Sequence, residues 1–219
     1  MMKKNILFLI TAMIMISSCK KDNVVVTKDR VGISKVTYYP VLALTGGSVS
    51  SVVVGAAFSD PGATATAGGQ DVPVAATSDV DVNTVGLYTV TYTATNADGF
   101  SATATRTVVV IPQAETPGVD ISGEYMTTGG TANATITKVA PGVYFTDNCW
   151  GNGSLAIIPA YFICTDGAVV SIPLQTVPGI GRIETTMDGT YVNGLISWEI
   201  VRLDFAGGPL VRDKTWQKL

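Results

Sequence analysis

Hydrophobic positions fall into two patterns along this chain. The first is one solid apolar block, Ile6 to Ile16, preceded by Lys3-Lys4 and ended by Ser17-Ser18-Cys19. It is shorter than the roughly 20 residues a bilayer-spanning helix needs. A basic start followed by a short apolar core has the form of a secretory signal. Beyond it the pattern becomes short apolar-polar alternations such as "SVSSVVVG", "GLYTVTYTATN" and "SATATRTVVVI", bounded by Gly, Asp, Asn and Pro. Strand-like pieces at intervals of about 8 to 12 residues with such turns between them predict antiparallel β-structure. Alternation is cleanest where Tyr88, Val90, Tyr92 and Ala94 share one face and Thr89, Thr91 and Thr93 the other. The first set should line a core and the threonines should meet water. Asn96-Ala97-Asp98-Gly99 then predicts a tight turn into a strand that sets Val108 and Val110 opposite Thr107 and Val109.

A second series of alternations begins at "ISGEYMTTGG", with Tyr125 expected to anchor its opening strand. Asn193-Gly194, between "GTYV" and "LISWEIV", is a strong two-residue hairpin signal, and Ile196, Trp198 and Ile200 fall on one core face. Between the two series lies "PQAETPGV", whose prolines and glycine predict a semi-extended linker that does not pack, leaving the domains to move independently. The chain therefore divides into a signal segment 1–18, a tether 19–33, a first β-domain 34–111, a linker 112–119 and a second β-domain 120–219. The expected fold class is all-β: an N-terminal β-sandwich, then an antiparallel domain that is either a β-barrel or a β-sandwich.

Composition narrows the function. The chain has 17 acidic and 14 basic side chains, and removing residues 1–18 with Lys3 and Lys4 leaves 12 basic ones. An acidic chain without a basic run is a poor partner for nucleic acid. Histidine is absent. That removes Ser-His-Asp and Cys-His catalysis, His-ligated zinc and the commonest general base. Neither a metal nor a cofactor is expected, and no catalytic residues are assigned. Glu124, Glu184, Glu199, Asp147, Asp166 and Asp188 are the available carboxylates. Nothing in their spacing compels the pair, about 5 to 9 Å apart, that a glycosidase requires.

Ile16-Ser17-Ser18-Cys19 resembles a bacterial lipobox, which implies cleavage before Cys19 and lipidation of its thiol. Such a protein meets the membrane through acyl chains, each methylene contributing about 0.8 kcal/mol. Lys20-Lys21-Asp22-Asn23 is similar to the charged export signals of Bacteroidota surface lipoproteins, though less acidic. The expected location is the outer membrane, with exposure at the cell surface. Phe58-Ser59-Asp60-Pro61-Gly62-Ala63, Gly86-x-Tyr88-x-Val90-x-Tyr92, Asn96 to Gly99 and Arg106-Thr107-Val108 resemble the bacterial surface immunoglobulin-like domain over residues 35–111. The resemblance implies a spacer or presentation module without catalytic residues. Relatives often carry an acidic patch after the Asp-Pro-Gly turn; Ala67-Gly68-Gly69-Gln70 stands there instead, which argues against bound calcium. Residues 120–219 are similar to uncharacterised C-terminal domains of related surface lipoproteins.

Asp147-Asn148-Cys149-Trp150-Gly151-Asn152-Gly153 is the richest polar and aromatic stretch. Trp150 rimmed by Asp147, Asn148 and Asn152, with Tyr161 or Tyr144 as a second platform, suits a sugar's apolar face and hydroxyls. Equally, Trp150 is a core residue and the amides hold a turn. Cys149 and Cys164 either form a disulfide closing a loop of about 15 residues, worth about 3 kcal/mol, or remain buried free thiols. The expected function is a non-catalytic binding module for glycan. The alternative is a structural or protein-interaction subunit without a small ligand.

Overall fold

A computed structural model describes residues 30–31, 34–130, 132–151 and 157–219; the signal segment, Cys19, most of the tether and Asn152 lie outside them. The chain divides into two compact units at Tyr38/Tyr39. In the first, β1 (Arg30–Val31) and β2 (Ser34–Lys35) pair as a two-stranded antiparallel sheet.

The second unit, Tyr39–Leu219, holds both expected β-domains, the first of them without residues 34–38, which fall in the first unit. In the first of these, β3 (Val41–Leu44), β5 (Ala63–Ala67) and β6 (Gln70–Asp71) form one sheet. Against it packs a second sheet in the order β4 (Val49–Val53), β9 (Ser101–Ile111), β8 (Gly86–Thr95), β7 (Val74–Ser78). Its strands are antiparallel except β4, which runs parallel to β9. Between the sheets lie Val90, Tyr92 and Val108, packed by Leu42, Leu44, Val52, Phe58 and Val74. The alternating face of β8 is thus the core face, and Asn96 to Gly99 makes the turn into β9, with Gly99 at φ 86°.

One polar residue crosses this core. Arg106, on β9 opposite Val90, is fully buried. Its Nη1 donates to Asp60 at 2.6 Å, its Nε to the Gly47 carbonyl, and its Nη2 to the carbonyls of Thr45 and Gly62. The Tyr92 hydroxyl donates to the same Asp60 oxygen at 2.5 Å, and the guanidinium lies 5.6 Å from the Tyr92 ring centre. A buried charge persists only when paired and hydrogen-bonded. Here the pair also ties the turns around Thr45 and Gly62 to the opposite sheet.

The second β-domain comprises β10 (Gly123–Thr127), β11 (Asn133–Ala140), β12 (Val143–Thr146), β13 (Ala160–Ile163), β14 (Val169–Val170), β15 (Gln175–Val177), β16 (Gly181–Thr185), β17 (Gly189–Val192), β18 (Leu195–Arg202) and β19 (Leu210–Lys218). Pairing follows β13-β12-β11-β10-β19-β18, after which β18 divides its partners. Its first half pairs with β17, which pairs with β14, and its second half pairs with β16 of the β15–β16 hairpin. Ile163 and Ser171 exchange backbone hydrogen bonds of 2.8 and 3.1 Å, joining β13 to the chain just after β14. The sheet returns on itself and is a barrel, which decides between the two expected forms. Ile196, Trp198 and Ile200 line its interior with Trp216, Tyr125, Tyr144 and Phe162. Asn193 and Gly194 both have positive φ, 51° and 81°, and close the two-residue turn between Val192 and Leu195.

The linker expectation is corrected. Val109 and Ile111, on the face of β9 away from the sandwich core, pack with Val143 and Ile163 of the barrel, joined by Val49, Val53, Leu87 and Tyr161. The run "VVVI" is continuous because both faces of that strand end are covered. Along residues 112–119, Thr116 donates its amide to the Thr165 carbonyl at 2.7 Å, and Glu115 pairs with Lys138 at 2.7 Å. The connection is therefore laid against the barrel, and the two β-domains share one compact unit.

Candidate functional site

Trp150 is only 3% exposed and belongs to the barrel core. Its loop is built to hold it there. The Asn148 side-chain oxygen accepts from the amides of Trp150 and Gly151, and Asp147 accepts from the Thr135 amide at 2.8 Å. Gly151 has φ 66°, and a Cβ there would stand 2.5 Å from Thr127 Cγ2 and 2.9 Å from Trp216 Cζ2. Trp216 in turn donates its Nε1–H to the Cys149 carbonyl. Of the residues expected to line a ligand site, Asn148 and Trp150 are therefore buried structural elements, and Asp147 stands exposed beside them. Tyr144, the alternative platform, is fully buried.

Cys149 and Cys164 are separate, buried thiols, a correction to the disulfide reading. Burial pushes the Cys149 thiol up to about 12 and the Cys164 thiol up to about 11, so both stay protonated and inert at neutral pH. Several carboxylates have structural bonds. Asp166 caps the amides of Ala168 and Val169, bonds that lower its pKa. Glu124 accepts from Thr135 and Glu199 from Thr186. Among the described residues no group of three or more His, Cys, Asp or Glu is placed to hold a metal ion.

Tyr161 is placed differently. It is half-buried on the outer face of β13, opposite Phe145 of β12, with ring centres 5.2 Å apart at 57°. Gln175 fixes its backbone: the Tyr161 amide donates to Gln175 Oε1 at 2.9 Å, and Gln175 Nε2 donates to the Tyr161 carbonyl at 2.7 Å. Two hollows flank the ring where the two β-domains meet. One, of about 470 Å³, lies between Leu87, Tyr88, Thr89 and Thr107 of the sandwich and Tyr161, Leu174, Gln175, Thr176 and Arg182 of the barrel. The other, of about 340 Å³, is bounded by Gly47, Ser48 and Val49 on one side and Val139, Phe145 and Tyr161 on the other.

The electrostatics of the larger hollow are mild. Arg182 is held by Asp204 through Nε and Nη2, the latter at 2.8 Å, and this contact draws the Asp204 carboxyl down to about 2. The guanidinium edge is thus neutralised while threonine hydroxyls and the Gln175 amide supply polar groups. Junctions of domains are common places for ligand clefts of several hundred Å³.

The sandwich in this junction has a family. Residues 42–110 match the family described as bacterial surface protein, Ig-like domain. They form a bacterial surface Ig-like domain. Asp60 and Arg106 of the Ig-like domain, 46 residues apart, form the buried pair described above. No curated protein is significantly similar to the chain. Among solved structures it is similar to a lipoprotein from Bacteroides thetaiotaomicron, at 25% identity and TM-score 0.41, over 82% of this chain and 100% of that one. It is also similar to a Clostridium perfringens ZmpB structure holding an M60 catalytic domain with two CBM51 domains. There the identity is 16% and the TM-score 0.33, over 84% of this chain and 21% of that one. A second ZmpB structure, of a CBM51 domain in complex with GlcNAc and INT domains, gives 17% and 0.31, over 81% and 42% of the two chains. Superpositions at these scores are too loose to transfer a site.

Sequence reasoning named Tyr161 but not its partners. Neither Phe145 nor Gln175 was singled out, because the cleft depends on which faces of β8, β9 and β13 meet. Leu87 carried the one local hint, an apolar residue on the threonine face of a strand whose other face was already assigned to the core.

Proposed function

We propose that the protein is a non-catalytic, lipid-anchored surface protein in which the Ig-like domain and the barrel together bind a glycan at the cleft around Tyr161. One observation carries the reading: the Tyr161–Phe145 pair stands half-exposed at the domain junction, rimmed by Gln175, Thr89, Thr107 and Thr176. Half-exposed aromatic faces take the C–H surface of a sugar, and amides and hydroxyls take its hydroxyl groups. The Ig-like domain is then one wall of the site as well as a spacer. A single polysaccharide-chain segment can touch both domains at once.

Affinity electrophoresis of the full chain through gels containing neutral polysaccharides tests this. Wild type is retarded by its cognate polymer; Tyr161→Ala loses the retardation while its melting temperature stays within a degree or two. Equal retardation of the two proteins overturns the cleft assignment. If no polymer retards either protein, the chain is an interaction subunit without a sugar ligand. Anchoring is tested separately: radiolabelled palmitate enters wild type and not Cys19→Ala, and equal labelling of both removes the lipid anchor.

A further inference from the structure

The β18–β19 hairpin sorts its charges by face. Glu199 and Asp213 stand opposite each other, pointing to one side of the sheet. Arg202, Arg212 and Lys214 occupy the other side, in register with Leu210, Ile200 and Trp198 respectively. That second side is the barrel interior around Trp198 and Trp216, and it emerges from the core where the three cations begin. Two of the three, Lys214 and Arg202, meet at one ring. Lys214 Nζ lies 5.2 Å and Arg202 Cζ 5.9 Å from the centre of Trp150. Arg202 also lies 5.0 Å from the ring of Phe205, which is exposed at the hairpin's loop.

Among the described residues, no carboxylate pairs with any of these three cations. Asp204, the acid nearest to Arg202 in sequence, is turned to Arg182 and held by its Nε and Nη2. Arg202 donates to the Ile180 carbonyl at 3.3 Å, and among the described residues its buried Nε has no partner. Partial burial and the neighbouring Arg212 together lower the pKa of Lys214, as expected of a cation short of counter-charge.

We propose that this end of the barrel is an oxyanion site, formed by Arg202 and Lys214 over Trp150 with Arg212 next to Lys214 on the same face of β19, that receives a sulfate or carboxylate group of an acidic sugar. The guanidinium fork matches a planar or tetrahedral oxyanion in a way a lone ammonium does not. The aromatic rings on Arg202 hold it by cation–π attraction without spending its donors. On a chain with more acidic than basic side chains, such a local positive field selects where an anion lands. The site is distinct from the Tyr161 cleft and does not depend on it.

The test uses the full chain in affinity gels containing dextran sulfate or plain dextran, with thermal melts in sodium sulfate or sodium chloride at equal ionic strength. Wild type is retarded by dextran sulfate and not by dextran, and sulfate raises its melting temperature above the value in chloride. Arg202→Gln/Lys214→Gln weakens retention at least about tenfold, the loss expected for one charge-assisted bond, and melts alike in both salts apart from the general effect of sulfate. Arg202→Lys, which keeps the charge and loses the fork, weakens it too. Should the double variant fail to fold, Arg212→Gln at an exposed position reads a partial loss. A sulfate response without retention by dextran sulfate identifies a free small oxyanion as the ligand. Undiminished retention in the variants, or no sulfate-specific response in wild type, overturns the site. Tyr161→Ala leaves dextran sulfate retention unchanged, so failure here and failure of the cleft are distinguishable.

Discussion

The two β-domains solve the same problem with different interiors. The Ig-like domain, built from strands rich in Thr, Ala and Val, has a small apolar core around Val90, Tyr92 and Val108 and drives a charged pin, Arg106–Asp60, through it. The barrel has Trp150, Trp198, Trp216, Tyr125, Tyr144 and Phe162 in one continuous core. Thin sheets of small side chains leave little apolar area to bury, so a hydrogen-bonded ion pair is used to fix which turn meets which strand. Buried pairs of this kind are weak as net stabilisers but costly to break. A barrel filled with large rings has its stability spread over packing.

That contrast can be broken in the laboratory. Trp150→Ala should cost the barrel about 3 to 5 kcal/mol by denaturant titration, as for a large aromatic removed from a core; a change below about 1 kcal/mol would return Trp150 to the surface. Asp60→Ala, which strands the buried Arg106, should cost about 3 kcal/mol or slightly more. The lower part of the range applies because the Asp60 side chain keeps 26% of its exposure. If Asp60→Ala proves harmless, the pin is decoration and the Ig-like core holds by apolar contact alone. The smallest effect is chemical: a thiol reagent at pH 8 should find neither Cys149 nor Cys164 in the native protein and both after unfolding. Their thiols are raised well above that pH. A bridged pair would show neither thiol in either state.

Local patterns were legible from the residues alone. The β8–β9 hairpin and the Asn193-Gly194 turn are written in consecutive residues, and both form as the alternation demands. Asp60 and Arg106 were visible as motif residues, yet their contact spans 46 positions and needs the two sheets stacked. Trp150 was ambiguous because a loop has no periodicity to say which way a ring points. Its orientation is decided by Gly151, which lets the backbone press against Trp216. The domain junction was misread for a subtler reason. Pro and Gly make residues 112–119 look like a spacer, whereas the apolar faces that close the junction lie in Val109 and Ile111 just before it.

The side-chain amide of Gln175 has a consequence beyond the cleft. Strand β13 ends the sheet path, and a strand in that position offers bare amides and carbonyls to any passing chain. Gln175 occupies both main-chain groups of Tyr161, and Ser171 occupies both of Ile163. The rim is thereby sealed by one residue's side chain and one residue's backbone. Another copy of the chain therefore finds no open seam along β13 on which to zip a strand of its own.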